Sequence, residues 1–461
     1  MPDNDESEAL RPKFNRRNGI LKTILLNLIY VAAILIAVPF LLYRAIRYGK
    51  NRRGWWAKLS GRVSARPDRT ENRKCIWFHA VSVGEINLLG AVLERLQQRL
   101  PDWHFAISTT TETGYSLALN RYPDYQVFFC PIDFSWAVNQ VLRRLNPGLV
   151  VLAELELWPN IVRQSHQHSV PMAIINGRLG ESSYAGYQRV QFLINRILAK
   201  IDLIAVQNES YGERFRNLGA RSKTVVRTGS IKFDGAMLDK SNCLTQKLTK
   251  QAGLTDDDFV FVAGSTQPNE DRIAVDVWLQ LVEQNPNLKL ILVPRHPHKA
   301  VGVIDYLSRK QIPFALRSER SSERDVGDKR VLVVDVIGEL GGWWGCANVA
   351  YVGGSMCSRG GQSMIEPAAF GVPVSFGPNT KNFKDVAEVL LAERASRVVR
   401  NQDELVKFVE WAIADRAAAE KMGDNARAVV LRQQGAADST VDLILELLSQ
   451  QAVQVLAAAA A

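Results

Sequence analysis

Short apolar runs alternate with amphipathic stretches along most of this chain. CIWFHAVS, HFAISTT, QVFFCPID, GLVVLAELE, PMAIING, LIAVQN and TVVRTGS follow one another between residues 75 and 230. Each is brief, rich in β-branched or aromatic residues and bounded by turn formers, so each predicts a buried strand. Between them, INLLGAVLERLQQRL, SWAVNQVLRRL and YQRVQFLINRILAKI repeat apolar positions at helical spacing. A polar stretch, residues 235–257, interrupts the series. The alternation then resumes. FVFVAGS, LKLILVPR, VLVVDV, NVAYVGGS and VPVSFG predict strands, with EDRIAVDVWLQLVEQ and VGVIDYLSRKQ as helices between them. Strand–helix alternation predicts parallel sheets covered on both faces. The chain therefore reads as α/β with two doubly wound halves, 71–234 and 258–450, joined by a linker at 235–257 and ending in a low-complexity tail, 451–461. In such sheets ligands bind beyond the carboxyl ends of the strands, so two facing halves make a cleft.

The first 70 residues depart from this pattern. TILLNLIYVAAILIAVPFLLY, residues 23–43, carries no charge and is long enough to cross a bilayer core. Arg44, Arg47, Lys50, Arg52, Arg53, Lys58, Arg62, Arg66 and Arg69 follow it, interleaved with Trp55 and Trp56. Such a collar suits an anionic headgroup zone. A cleaved secretory leader would have a shorter core and a small-residue cleavage site; here Tyr43-Arg44 follows. Residues 1–70 thus predict a retained membrane anchor with the body on the cytoplasmic side. Asn27 and Pro39 leave open whether it spans or only dips in.

The bulk figures exclude several classes. The chain has 461 residues, 47% hydrophobic and 23% charged, as in a folded protein of two domains. Its formal charge of +10 gathers beside the apolar span, which argues for a lipid surface and against a nucleic-acid reader. The five cysteines are scattered without metal spacing, so free thiols and no metal site are expected.

Candidate chemistry clusters at predicted strand ends. Glu85 follows WFHAVSVG, where a carboxylate either caps the next helix or acts chemically. Glu154 and Glu156 share a face at the end of GLVVLAELE, if the strand continues. Lys232 closes GSIKFD. In the second half, Pro294-Arg295 ends a strand, where arginine suits a phosphate. Ile337-Gly338-Glu339 forms a turn whose backbone can meet a base or sugar. Gly353-Gly354 and Gly360-Gly361 allow close backbone approach, and a helix starting near Ser363 would aim N–H groups at an anion. Glu366 at its start suits ribose hydroxyls or simply the helix dipole. AGSTQPNED reads equally as an N-cap or a phosphate contact.

HAVSVGE, ELELWPN, SIKFD, VPRHP, IGEL and GGQSMIEPAAFGVPVSFGPNTKNF, in this order, resemble the 3-deoxy-D-manno-octulosonic acid (Kdo) transferases of lipopolysaccharide synthesis. The resemblance runs from about residue 20 to about 440. It implies a GT-B fold, two Rossmann-like domains facing a cleft, with no cofactor and no essential metal. It implies inverting transfer of Kdo from CMP-Kdo to a lipid A precursor at the inner membrane. Glu85 then looks like the general base, with Glu154 (or Glu156) and Lys232 supporting the transition state. Pro294, Arg295, Ile337, Gly338, Glu339, Ser363, Met364, Ile365 and Glu366 look like the CMP contacts. The first domain would bind the acceptor and the second the nucleotide sugar. Two departures stand out: Ser363-Met364 replaces the family's Asn-Pro, and Gln267 stands where a histidine is usual. The alternatives are another GT-B enzyme using a UDP-sugar, as transferase or epimerase, and a non-catalytic membrane-tethered binder of nucleotide sugar or lipid.

Overall fold

The computed structural model describes residues 27, 28, 30–32, 35, 36, 54–63, 74–319 and 329–460. It divides into two compact units, one of residues 1–231 with 435–461 and one of residues 232–434.

The first unit holds a parallel sheet of β1 (Cys75–His79), β2 (His104–Thr109), β3 (Gln126–Phe129), β4 (Leu149–Ala153), β5 (Met172–Gly177), β6 (Leu203–Val206) and β7 (Val225–Arg227). The order is β3-β2-β1-β4-β5-β6-β7. Every residue of β1 and β4 is buried, as expected of central strands covered on both faces. All seven strands coincide with apolar runs in the sequence. The helix Val83–Arg99 lays Ile86, Leu89, Val92 and Leu96 on Ile76 and Phe78 of β1. The predicted helix at 187–201 is two, Glu181–Gln188 and Gln191–Leu198.

The second unit repeats the scheme with β8 (Phe259–Thr266), β9 (Leu288–Pro294), β10 (Phe314–Leu316), β11 (Val331–Val333), β12 (Val349–Val352), β13 (Val374–Phe376) and β14 (Ser396–Val398). Its order is β10-β11-β9-β8-β12-β13-β14, again parallel. The sequence reading lacks β10 and β14, edge strands of three residues, too short for a periodic signal.

Three boundaries move. Residues 232–234, read as the end of the first domain and including Lys232, belong to the second unit. The stretch read as a linker contains the helix Cys243–Ala252, whose Leu248 is fully buried in the core of the second unit. Residues 435–450, read as part of the second domain, belong to the first unit with the tail. The helix Ala436–Ala460 buries Ala437, Val441 and Ile444 beside Ile86 and Leu89. Arg95 donates to Asp438 at 2.7 Å, and Arg99 pairs with Asp442. All five cysteines are free thiols.

Most of the apolar segment 23–43 lies outside the described residues. Those described (27, 28, 30–32, 35 and 36) are helical. Asn27 donates to Ser135 Oγ at 2.8 Å, and Tyr30 donates to Asp133 Oδ2 at 2.7 Å. Leu28, Leu35 and Ile36 are exposed. Among the described residues no helix is long and apolar enough to cross a membrane. Part of the predicted basic collar is built into the first unit. In the helix Trp55–Ser60, Lys58 Nζ donates to the Thr110 carbonyl at 2.9 Å, while Trp56 stays exposed.

Candidate active site

In each sheet the strand order reverses beside its first strand, between β1 and β4 and between β8 and β12. Ligands of open α/β sheets favour such switch points. Most of the side chains singled out above lie at the carboxyl ends of these strands and their neighbours.

At the first switch point Glu85 sits in the opening turn of the helix that follows β1, only 8% exposed. Its carboxylate accepts from Val81 N at 2.8 Å and from Ser82 Oγ at 2.7 Å, while Ser82 Oγ accepts from Glu85 N at 3.3 Å. This is a reciprocal cap. Burial raises the Glu85 pKa above the usual carboxylate range, against the pull of those two donors, and the Glu154 charge adds to the rise.

Glu154 and Glu156 follow β4. Glu154 adopts a left-handed backbone, φ 56°, which costs a non-glycine residue about 1–2 kcal/mol. The strand therefore does not continue, and the two glutamates do not alternate as a strand would place them. Glu154 accepts from Asn176 Nδ2 at 3.4 Å. Asn176 Oδ1 in turn accepts from Ile231 N at 3.0 Å. Asn176, fully buried with φ 53°, thus ties Glu154 to the peptide just before Lys232. The sequence reading missed it; its one signal was an asparagine before glycine at a strand end.

Glu156 accepts from Trp158 Nε1 at 2.9 Å. Burial first, then the Glu85 charge, push its pKa up to about 7, with Glu154 adding to the rise and the Trp158 bond opposing it. The neutral acid is therefore favoured in the fold relative to the unfolded chain. Ionising it costs nothing below the unfolded value near pH 4.5, and the cost is complete above about pH 7. Glu156→Gln should accordingly melt a few degrees above the wild type at pH 8 and level with it near pH 4.5. A gap that is equal at both pH values would rule out this coupling.

Beneath the carboxylates, His79 is fully buried, with Nδ1 2.9 Å from Ser108 Oγ. Desolvation lowers its pKa to about 4, so it stays neutral. Behind Trp158, Asp133 accepts from Asn160 N at 2.8 Å and Ile161 N at 2.9 Å. It supplies the cap that the helix Pro159–Gln167 lacks locally.

At the second switch point the assigned residues part company. Pro294 is buried at the end of β9, while Arg295 is exposed and its N–H donates to Thr266 O at 3.0 Å. Arg295 favours the charged form of Glu366, as does a hydrogen bond from Ser363, although burial dominates and raises the Glu366 pKa. Ser363 therefore serves Glu366. The side chains of Met364 and Ile365 lie in the core, 0% and 2% exposed, so only their backbone is left to meet a ligand. The helix expected near Ser363 begins at Ile365, two residues on, and runs only five residues.

Ile337 stands 87% exposed beside Gly338, whose φ of 94° suits glycine. The Glu339 carboxylate is already taken. Arg317 Nε and Nη2 donate to it at 2.9 and 2.7 Å, a bidentate pair that pins the turn. The groups of 337–339 left unengaged by that pair are the exposed Ile337 side chain and the backbone of the turn. Gly353-Gly354 also proves occupied, because the amides after Gly353 bind the Glu270 carboxylate.

Residues 52–235 match the family described as 3-deoxy-D-manno-octulosonic-acid transferase (kdotransferase). A 3-deoxy-D-manno-octulosonic acid transferase of Haemophilus influenzae is 30% identical over 372 residues, covering 80% of this chain and 86% of the relative. The chain belongs to the Kdo transferase family. A bifunctional glycosyltransferase/methyltransferase of Fusobacterium nucleatum is 30% identical over 355 residues, 76% of this chain. The match spans only 54% of that longer protein. Among solved structures, UDP-GlcNAc 2-epimerase from Neisseria meningitidis bound to UDP-GlcNAc aligns with a TM-score of 0.56 at 14% identity, covering 81% of this chain and 100% of that one. That likeness is one of fold, the two parallel-sheet domains of GT-B glycosyltransferases.

Proposed function

We propose that this Kdo transferase family member moves Kdo from CMP-Kdo to a hydroxyl of a lipid A precursor, with inversion, as a step of lipopolysaccharide inner-core synthesis. The observation that carries the reading is the carboxylate group at the β1/β4 switch point, with Glu85 held at a helix start and Glu154 tied through Asn176 to the peptide before Lys232. Glu85 takes the acceptor proton as its oxygen attacks the anomeric carbon. Removal from water makes Glu85 a stronger base than a free carboxylate. The bond to CMP breaks, and CMP departs with the electron pair. Lys232 and Glu154 support the charge that moves in this step.

The first unit binds the acceptor and the second the donor. Arg295 serves the CMP phosphate, Ser363 and Glu366 the ribose side, and the 337–339 turn the base. The acceptor is an anionic glycolipid, and the apolar segment with its basic neighbours supports a position on the cytoplasmic face of the inner membrane among anionic lipids. No cofactor or metal enters these steps.

The test uses the full chain in detergent with CMP-Kdo and a lipid A precursor. CMP release is expected, together with a glycolipid heavier by one or more Kdo units. No release, or calorimetric binding of UDP in preference to CMP, would redirect the reading to another nucleotide sugar.

A further inference from the structure

Glu270 stands in the first turn of the helix Pro268–Val282, directly after β8, and is 2% exposed. Its carboxylate receives five hydrogen bonds. Oε1 accepts from Tyr351 Oη at 2.9 Å, Ser355 N at 3.0 Å and Met356 N at 2.9 Å. Oε2 accepts from Gln267 N at 2.9 Å and Gly354 N at 2.6 Å. Three successive amides turned onto one anion form a nest, the kind of backbone concavity that elsewhere holds phosphate. Here the nest lies at the β8/β12 switch point, and a side chain of the same chain fills it.

Both parts of this unit assigned to the donor hang from that point. Thr266, four residues before Glu270, accepts the Arg295 amide. Gly354 O accepts from Gly361 N at 2.7 Å, which fixes the turn leading to Ser363 and Glu366. The packing leaves no slack, since a Cβ on Gly353 would come within 2.5 Å of the Thr266 backbone.

We propose that Glu270 is the positioning residue of the donor site: a built-in anion that closes the 354–356 nest to the donor phosphate and fixes Arg295 and the 360–366 turn where the nucleotide is held. The inference rests on the CMP-Kdo reading above. It adds that the glycine loop after β12 is a support, not a phosphate contact.

The probe is CMP, titrated calorimetrically into the full chain, with thermal melting as a check on folding. Glu270→Gln removes one acceptor oxygen and should weaken CMP at least tenfold. It should raise the donor KM by a similar factor while kcat changes less than threefold, because the site is displaced and the chemistry is untouched. Glu270→Ala should weaken CMP further and regain affinity on adding formate, which can refill the nest; formate should leave the wild type unchanged. If both variants unfold, Tyr351→Phe, which removes one donor to Oε1, should still weaken CMP severalfold. Folded variants that bind CMP as the wild type does, or no formate effect in Glu270→Ala, overturn the inference alone. A wild type that does not bind CMP overturns the donor reading and this inference with it.

Discussion

Glu85→Gln should fold as stably as the wild type and lose roughly 10²–10⁴-fold in kcat, with the donor KM nearly unchanged. Glutamine keeps one oxygen for Val81 N–H, and its amide can donate to Ser82 Oγ, so the reciprocal cap survives in altered form. It cannot accept a proton. Glu85→Ala loses the cap as well and should cost about 1 kcal/mol of stability beyond the lost rate. The pH profile gives a second check. Burial holds the Glu85 pKa above the usual carboxylate range, so turnover should fall, as pH drops, earlier than for an ordinary glutamate. The pair of variants separates the two roles of this residue, since only the glutamine change isolates the chemistry. Turnover of Glu85→Gln within a few-fold of wild type would remove Glu85 as the base.

Asp133→Ala should be the most destabilising single change in the first unit outside its apolar core. Asp133 is 1% exposed and accepts from Asn160 N, Ile161 N and Tyr30 Oη. Each donor left without a partner costs about 1–3 kcal/mol when buried, so a total on the order of 3–5 kcal/mol is expected. In a unit of this size that lowers Tm by roughly 10 °C. Asp133→Asn keeps one acceptor oxygen and should lose about half as much. The helix this aspartate caps begins one residue after Trp158, whose indole holds Glu156, so kcat should fall in step with stability. Melting of Asp133→Ala within a degree or two of wild type would show that water satisfies these donors instead.

Much of this molecule is legible from local pattern. Twelve of the fourteen strands are apolar runs in the sequence, because strands buried on both faces must be apolar throughout. Strand ends are marked by the residues that stop them, so Glu85, Arg295 and Gly338 could be placed before any coordinates. What local pattern does not reveal shares a cause. Met364 and Ile365 belong to a motif of recognisable order, yet membership in a motif does not say which side chains turn inward. Glu339 and the Gly353-Gly354 loop looked available because their partners, Arg317 and Glu270, lie 22 and 84 residues away.

The sequence by itself determined two parallel α/β halves, the apolar segment with its basic collar, and the carboxylates at the ends of β1 and β4. Periodicity and turn chemistry act over a few residues and leave a readable trace. The tertiary structure alone decided that Asn176 joins Glu154 to the peptide before Lys232, that Asp133 caps a helix 26 residues further on, and that Glu270 fills an amide nest built from another strand's loop. A hydrogen bond between distant residues depends on where the whole backbone brings them, and no short window of sequence records it.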